Sequence, residues 1–459
     1  MKREIQFAAI ALATVLTNSV QAAVNADEAK HLGGPVLTAF GAEKAGNKDG
    51  SIPAYDGKGI PPPADWDPKE PGRRPDPFKE KPLYTITAQN MAQYADKLAE
   101  FQKELFKRYP NYRMDIYPSH RTMVFPKYVL DNTLKNATSC KGADKELRIE
   151  GCYGGIPFPI PKTGNQVMWN HLMFYGTPTI YENQRAWNVP ANGSAFLASA
   201  SKGNEDFPAF YPDKAGKVLD GKEIFWRVRL DDYAPARQVG QKLILIDALD
   251  QLNIGRRAYQ YLPGQRRVKL APDLAYDTPA PTNGGVGTVD DAKLFLGALD
   301  RFDFKLIGKA EKFLAYNTYG MTDYKACPEE KFTSTKHVPN PDCSRWELHR
   351  VWIVESTLKP EFRHIYKKRV FYFDEDGYGA GMQESYDGSG KLYRAVYNHF
   401  YTYWEKDGGN SGSAVNLDFV TGGYVMQGTA GAPGAGFFPV DIKPSTFFSP
   451  EALAGEGVR

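Results

Sequence analysis

The chain has 459 residues, of which 42% are hydrophobic and 13% aromatic, enough for one large or two ordinary hydrophobic cores. Its 57 basic and 54 acidic residues give a net charge of +3, without a dense basic run. This composition excludes a disordered or fibrous protein and leaves no electrostatic footprint for nucleic acid.

The first 22 residues have the pattern of a secretory signal peptide. Lys2 and Arg3 precede an apolar run, and small residues surround the expected cleavage site after Ala22 or Ala23. The run is too short to span a membrane, although an uncleaved signal acting as an anchor is the alternative. No cysteine follows the cleavage site, which argues against a lipid anchor. We therefore expect a soluble protein exported to the periplasm.

Four cysteines form two pairs that are close in sequence, Cys140 with Cys152 and Cys327 with Cys343. An even number of cysteines in an exported chain predicts disulfides. A zinc site is the alternative, but neither pair has zinc-knuckle spacing and His337 is the only histidine near either pair. We expect two disulfides and no metal site.

The domain organisation follows from composition and periodicity. Residues 23–83 are irregular and include a proline-rich stretch over residues 60–82, which predicts an extended arm on the surface. Apolar residues at spacings of three and four predict a helix over residues 87–108. We expect residues 84–459 to form a single domain.

Two further helices are expected over residues 164–175 and 289–299, and strands dominate elsewhere. The predicted strands cover residues 223–231, 241–248, 255–262, 266–271, 304–307 and 312–316, followed by four more within residues 348–406. Short turns between successive strands predict an antiparallel meander. The chain is therefore predicted to adopt an α+β fold, with helices packed on one large curved antiparallel sheet.

The four strands within residues 348–406 carry apolar side chains on both faces, the last of them over residues 391–405. A half-solvated sheet would show polar residues on one face, so the second face must pack under helices or line an apolar cavity. The strand pattern does not indicate which face points inward. The residues expected to contact the core or the cavity are Trp352, Val354, Phe371, Phe373, Val396 and Phe400.

Two charged residues lie within these apolar strands, Glu355 after the run VWIV and Arg369 before the run VFYF. They fit a cross-strand ion pair, or edge charges that keep the sheet from aggregating. They also fit the few polar groups that orient a ligand in an apolar cavity. We favour the structural interpretation and keep both residues as candidates for the cavity.

The sequence contains no nucleophile elbow, P-loop, dinucleotide fingerprint or zinc-protease motif, and its seven histidines are scattered. One alternative function is a hydrolase or other enzyme acting on a hydrophobic substrate, with His120, His171 or Glu355 as acid or base. Another is a structural scaffold that docks an envelope complex through its arm.

Six long strings resemble a known family of bacterial exported proteins, the domain of unknown function DUF1329. In chain order they are GAEKAGNKDGSIPAY, YPSHRT, GGIPFPIPKTGNQVMWNH, RRAYQYLPGQRRVKLAP, RFDFKLIGKAEKFLAYN and RVWIVESTLKPEFRHIYKKRVFYFDEDGY. The family is similar in fold to the outer-membrane lipoprotein carrier and receptor, LolA and LolB. This resemblance implies an incomplete β-barrel whose open side is closed by helices around an apolar cavity.

The resemblance also implies a function. We expect a non-enzymatic carrier or accessory protein that binds a lipid or other hydrophobic molecule without a cofactor, in the periplasm or associated with the outer membrane. Related genes often neighbour those of resistance-type inner-membrane export pumps and of an outer-membrane β-barrel family, which implies such partners in an envelope transport route. The chain is more than twice as long as a minimal lipoprotein carrier, so lipoprotein cargo is not assumed.

Overall fold

The computed structural model describes residues 24–455, so the expected signal peptide lies outside the described residues. The α-helices of this part of the chain are α1 Ala26–Ala29, α2 Glu100–Arg108, α3 Lys127–Ser139, α4 Gly164–Leu172, α5 Tyr319–Thr322, α6 Glu329–Phe332 and α7 Pro450–Gly455. Short 3-10 helices occur at Met91–Tyr94, Pro208–Phe210, Pro212–Lys214, Pro281–Asn283, Val289–Asp291, Pro341–Cys343 and Ser445–Phe448.

Strands make up most of the regular structure. The first ten are β1 Tyr84–Thr87, β2 Arg113–Ile116, β3 Lys141–Ala143, β4 Arg148–Glu150, β5 Thr179–Val189, β6 Phe196–Asp206, β7 Ile224–Ala234, β8 Lys242–Ala248, β9 Arg257–Leu262 and β10 Arg267–Leu270. The others are β11 Phe302–Leu314, β12 Glu347–Leu358, β13 Lys368–Asp374, β14 Gly381–Tyr386, β15 Leu392–Asn398, β16 Tyr401–Thr402, β17 Gly409–Asn410, β18 Ala414–Asp418, β19 Tyr424–Thr429 and β20 Gly436–Pro439.

Fourteen of these strands form one antiparallel sheet. Its order is β10-β9-β8-β7-β6-β5-β19-β18-β15-β14-β13-β12-β11, and β20 pairs with the part of β5 that β19 leaves free. Within residues 24–455 the end strands β10 and β11 do not pair with each other, so the sheet stays open. The predicted α+β fold with one large antiparallel sheet is confirmed.

Strand register defines two faces of this sheet. The inner face runs through successive cross-strand partners, from Val354 and Phe371 on β12 and β13 to Leu230 and Leu243 on β7 and β8. Between them it passes through Gln383, Val396, Asn416, Val425, Gln427, Ala186, Ser199, Glu182 and Gly203. The outer face carries the alternate residues of each strand.

Helix α2 covers the outer face. Phe101 stacks on Tyr397 with ring centroids 6.0 Å apart, and its backbone N–H donates to Glu384 Oε1 at 2.8 Å. The side chains of Phe101, Leu105 and Phe106 are all buried, since they follow the helical repeat on one side. This helix is the one that the apolar spacing in residues 87–108 predicted, but only in its second half.

The start predicted for that helix is wrong. Thr87 ends β1, where it pairs with Arg113, and does not cap a helix. Tyr94 lies in a 3-10 helix and stacks on Tyr84 at 5.0 Å, so this ring packs against β1 and not along the axis of α2. The chain bends between Tyr94 and Glu100, and tertiary packing divides one apolar repeat into two elements.

Helix α4 and an irregular segment, residues 272–299, cover the inner face; we call residues 272–299 the covering segment. Gly164 begins α4 so close to β11 that a Cβ atom there would lie 2.4 Å from the carbonyl oxygen of Phe304, which only glycine permits. The covering segment reaches the opposite half of the sheet, where Ser199 Oγ donates to the carbonyl oxygen of Thr282. Together these two elements cover both halves of the inner face.

The helix predicted over residues 289–299 is wrong, because this part of the covering segment has only the 3-10 helix Val289–Asp291. Lys293 and Leu294 have φ values of 54° and 76°, in the left-handed region where an α-helix cannot continue. The long helix α3 was not predicted.

The strand block was predicted with two errors of extent. The strands expected over residues 304–307 and 312–316 are one strand, β11, interrupted by a bulge between Leu306 and Gly308, where Gly308 takes a φ of 138°. The strand expected over residues 391–405 ends at Asn398, whose side chain accepts from the N–H of Gly381 at 2.9 Å.

Residues 60–82 contain neither helix nor strand, yet Arg74 at their centre is fully buried. It pairs with Glu405 at 2.8 Å and lies 5.0 Å from the centre of the Tyr403 ring. Arg73 pairs with Asp323 at 2.8 Å and Phe78 stacks on His120 at 4.2 Å, so this stretch is anchored in the domain at several points and does not run over the surface throughout.

Both expected disulfides are present, Cys140–Cys152 and Cys327–Cys343. None of the helices between residues 24 and 455 is both long and apolar enough to cross a membrane.

Candidate functional site

The candidate residues on β12 to β15 lie mostly on the inner face. Trp352 pairs with Phe373 and Val354 with Phe371, and Val396 follows on the same face two strands away. All except the half-buried Trp352 are buried. Phe400 lies beyond the end of β15 and packs on Tyr316 with ring centroids 4.7 Å apart.

This half of the inner face is packed solidly by protein. The His171 ring of α4 stacks on Phe373 at 4.1 Å, and Phe295 of the covering segment meets Phe371 at 5.7 Å. Burial lowers the pKa of His171 to about 4, so this imidazole is neutral at neutral pH. The side chains on β12 and β13 therefore contact α4 and the covering segment as part of the core.

Glu355 and Arg369 point to opposite faces. Glu355 lies on the outer face and pairs with Lys368 at 2.9 Å, with 37% of its side chain exposed. Arg369 lies on the inner face, fully buried, and binds Asp290 and Asp291 of the covering segment at 3.0 and 2.9 Å. The two do not form the cross-strand pair that was considered, and Arg369 holds the covering segment against the sheet.

The other half of the inner face encloses a cavity of about 120 Å³ beneath the covering segment. Cross-strand partners from β7 and β8 form its floor, because Val228 faces Leu245 and Leu230 faces Leu243. Leu274 and Leu296 of the covering segment close it from above. The apolar part of the wall therefore comes mainly from β7, β8 and the covering segment, and β5, β6 and β19 contribute polar residues.

A small polar group lies at the wall of this cavity. Glu205 accepts from both Lys293 Nζ and the indole N–H of Trp226. Glu182 lies nearby on β5, and its Oε2 accepts from Gln184 Nε2 at 3.2 Å. Burial, and then the charge of Glu205, raise the pKa of Glu182 to about 8. Apolar walls with a few polar groups are typical of a small-molecule site.

Two further cavities adjoin this one under the covering segment. One of about 50 Å³ shares Leu230 and Leu243 with it, and another of about 120 Å³ shares Arg256. A wider concavity of about 550 Å³ elsewhere, lined by Tyr128 and Tyr175 among others, is open to the surface.

The residues proposed for an enzyme do not converge. His120 Nε2 lies 2.8 Å from Glu80, His171 Nδ1 lies 2.8 Å from the carbonyl oxygen of Tyr378, and Glu355 pairs on the outer face. Within the described part of the chain, no hydrogen bond or ion pair joins any two of these three.

A buried group of His349, Asp374 and Asp376 brings three possible metal ligands within 4.8 Å of one another. However, Arg121 donates to both oxygens of Asp376, at 2.8 and 2.5 Å. The remaining pair, His349 Nδ1 and Asp374 Oδ1, lies 3.8 Å apart. The group is better described as a buried network of ion pairs than as a metal centre.

Sequence reasoning missed the residues that line the cavity. Strands β7 and β8 were predicted, but nothing in their alternation distinguished a cavity wall from ordinary core. Glu182 and Glu205 lie on β5 and β6, whose sequences TIYENQRAWNV and FLASASKGNED are too polar to predict as buried strands.

The sequence matches the profile of a family described as Protein of unknown function (DUF1329) over residues 85–454. It is 37% identical over 451 residues to the Uncharacterized protein PA3922 of Pseudomonas aeruginosa, with 97% of each chain covered.

Two solved structures are similar to part of this chain. A putative outer membrane lipoprotein-sorting protein domain from Vibrio parahaemolyticus is 13% identical and a DUF1329 family protein from Desulfovibrio piger is 14% identical, each with a TM-score of 0.41. Each match covers 63% of this chain and 97% of the other.

Proposed function

The chain belongs to the DUF1329 family, and from that premise and the cavity beneath the covering segment we propose a non-enzymatic carrier or accessory protein for a lipid or other hydrophobic molecule. The observation that carries the proposal is the apolar cavity between β7, β8 and the covering segment. Aliphatic side chains of β7, β8 and the covering segment form most of its apolar wall, and both cations that line it, Lys293 and Arg256, are paired with carboxylates.

Burial of apolar surface would supply the affinity. Each methylene removed from water contributes about 0.8 kcal/mol. A cavity of about 120 Å³ is close to the engineered apolar cavity of about 150 Å³ that takes up benzene. It therefore fits an apolar group of about that size, and a longer molecule would extend into the adjoining cavities by displacing the covering segment.

The proposed location is the periplasm. Two disulfides support an oxidising compartment, where such bonds form and persist. The proposed role is one step in an envelope transport route that includes a resistance-type inner-membrane export pump and an outer-membrane β-barrel protein, as the family resemblance implies.

The test is binding of a fluorescent naphthylamine probe, whose emission rises on transfer to an apolar site. The wild type should bind the probe, and Val228→Trp should abolish binding because the larger ring fills the cavity. Leu270→Trp is the matched control, since Leu270 is 66% exposed on β10 and away from the cavity, so this variant should bind like the wild type.

A cooperative thermal unfolding transition in each variant is the control for correct folding. Equal probe binding by the wild type and a folded Val228→Trp variant would contradict the proposed site, and absence of binding to the wild type would contradict the function.

A further inference from the structure

The two cations that line the cavity are already neutralised. Lys293 pairs with Glu205, and Arg256 donates to both oxygens of Asp247 at 2.9 and 2.6 Å. Arg256 also donates to the carbonyl oxygen of Leu296 at 3.1 Å. A carboxylate on a bound molecule would therefore have to break an existing ion pair to reach a positive charge.

Two polar side chains in the cavity wall, by contrast, each have one oxygen without a partner. Among the described residues, Glu182 Oε1 and Asn283 Oδ1 are buried without a hydrogen bond, and the two residues are only 5% and 2% exposed. Leaving a buried acceptor unpaired is costly, so such groups in native proteins are normally satisfied by protein, water or ligand. Two free acceptors at one apolar cavity indicate an occupant that donates hydrogen bonds.

We propose that this cavity selects hydrophobic molecules that carry a hydrogen-bond donor, an alcohol or an amine, and discriminates against those that end in a carboxylate. The inference rests on the proposed function and adds the chemical class of the ligand. The aliphatic residues of β7 and β8 would hold the apolar body, and Glu182 and Asn283 would accept from its polar end.

The ionised form of Glu182 is the form that favours a ligand with a hydrogen-bond donor. Burial and the neighbouring Glu205 raise its pKa to about 8, so in the empty cavity near neutral pH the carboxyl group is largely protonated. A bound ammonium group would favour ionisation, which makes both carboxylate oxygens acceptors, whereas the protonated carboxyl group accepts through one oxygen and donates through the other. A bound carboxylate would gain no unpaired positive charge, and the carboxylate of Glu205 would repel it.

The test compares three ligands with the same chain: decylamine, 1-decanol and decanoate, each displacing the naphthylamine probe at about pH 7.5, where the amine and the acid are charged. We expect the amine and the alcohol to bind roughly tenfold or more tightly than decanoate, because a site with unpaired acceptors penalises a ligand that cannot donate.

Variants at Glu182 then locate the effect. Glu182→Leu should bind the alcohol and decanoate with similar affinity, whereas Glu182→Gln, which keeps an acceptor, should retain the preference for the alcohol. Glu355→Gln on the outer face is the control and should behave as the wild type. If the Glu182→Leu variant fails to fold, the Glu182→Gln variant still tests whether an acceptor at this position maintains the preference for the alcohol.

The outcomes separate this inference from the function on which it rests. If the wild type binds the probe but decanoate displaces it as effectively as 1-decanol, the selectivity alone is overturned. A preference for the alcohol that survives in a folded Glu182→Leu variant would have the same consequence. Failure of the wild type to bind the probe or any of the three chains would contradict the proposed function itself.

Discussion

His399 is buried where no neighbour can compensate a charge on its ring. Neither ring nitrogen finds a hydrogen-bond partner among the described residues, and the nearest rings are Tyr397 at 5.4 Å and Phe332 at 5.8 Å. Burial lowers its pKa to about 3. The folded protein therefore keeps this imidazole neutral well below the pH at which an unfolded chain would protonate it.

This difference makes stability depend on pH with a definite sign. Between an unfolded pKa of about 6.5 and the lower folded value, only the unfolded state takes up the proton, so the free energy of unfolding decreases as pH falls. His171, whose pKa burial lowers to about 4, acts in the same direction.

His399→Leu should remove one of these contributions. Chemical denaturation at pH 7 and 4.5 should show that the variant loses about 2 kcal/mol less stability than the wild type on acidification. At pH 7 the variant should be at least as stable, because an unsatisfied buried imidazole is replaced by an apolar side chain. Identical losses in the two proteins would contradict this account of His399.

Single residues were also the hardest part of the site to predict. A carboxylate within a polar strand, such as Glu182, has the same sequence pattern whether it faces water or a cavity, because only the fold determines what covers it. Arg369 was identified from its position beside an apolar run, but its partners Asp290 and Asp291 are nearly 80 residues away and were assigned to a helix.

At the scale of elements, the covering segment depends on side chains and not on regular structure. Residues 272–299 contain only two 3-10 helices, and Arg369 ties one of them to β13 through Asp290 and Asp291. Gln383 Nε2 adds a hydrogen bond to Asp291 at 2.6 Å. The position of the covering segment over the cavity therefore depends on the buried charges of Arg369, Asp290 and Asp291.

Arg369→Met should destabilise the protein by about 3–5 kcal/mol, because it leaves Asp290 and Asp291 buried without their cation. Glu355→Gln is the matched control, because Glu355 on β12 pairs with Val370, the residue next to Arg369, and lies on the outer face. Its ion pair with Lys368 is partly exposed, so its loss should cost at most about 1 kcal/mol.

Urea denaturation measures both changes, and hydrogen exchange should show faster exchange near Asp290 in the Arg369→Met variant. Similar small losses in the two variants would show that the buried cluster does not hold the covering segment.

Element prediction succeeded where one face of a strand or helix decides its packing. Strands β7 to β10 and β12 to β14 follow the expected alternation, and α4 begins where it was expected. Element prediction failed where tertiary contacts override the local pattern. Tyr94 packs on Tyr84 and divides the helix predicted over residues 87–108. The contacts of Asp290 and Asp291 with Arg369 replace the helix predicted over residues 289–299.

At the scale of the whole molecule, the sheet joins two parts of the chain that are distant in sequence. Strands β5 to β10 form one meander and β11 to β15 another, and β18 and β19 connect them by pairing with β15 and β5. Turn signals predicted antiparallel meanders for β7 to β10 and for β12 to β15. Strands β5, β6, β18 and β19 were not predicted, so neither was the join between β19 and β5.

The cavity lies on a different half of the inner face from the residues named as cavity candidates. The apolar strands β12 to β15 were expected to face a cavity, yet α4 and part of the covering segment fill that half of the inner face. The cavity lies instead against β7 and β8. Helix α4 and the covering segment thus leave space on one side of the inner face only. Under the proposed function, this space would hold a small apolar molecule.

The most direct test of this account is mass spectrometry of organic extracts from the protein purified from periplasm without detergent. The wild type should carry a hydrophobic molecule, and the folded Val228→Trp variant should carry none. Equal recovery of the same molecule from both proteins, or an extract of the wild type that contains no hydrophobic molecule, would contradict the account.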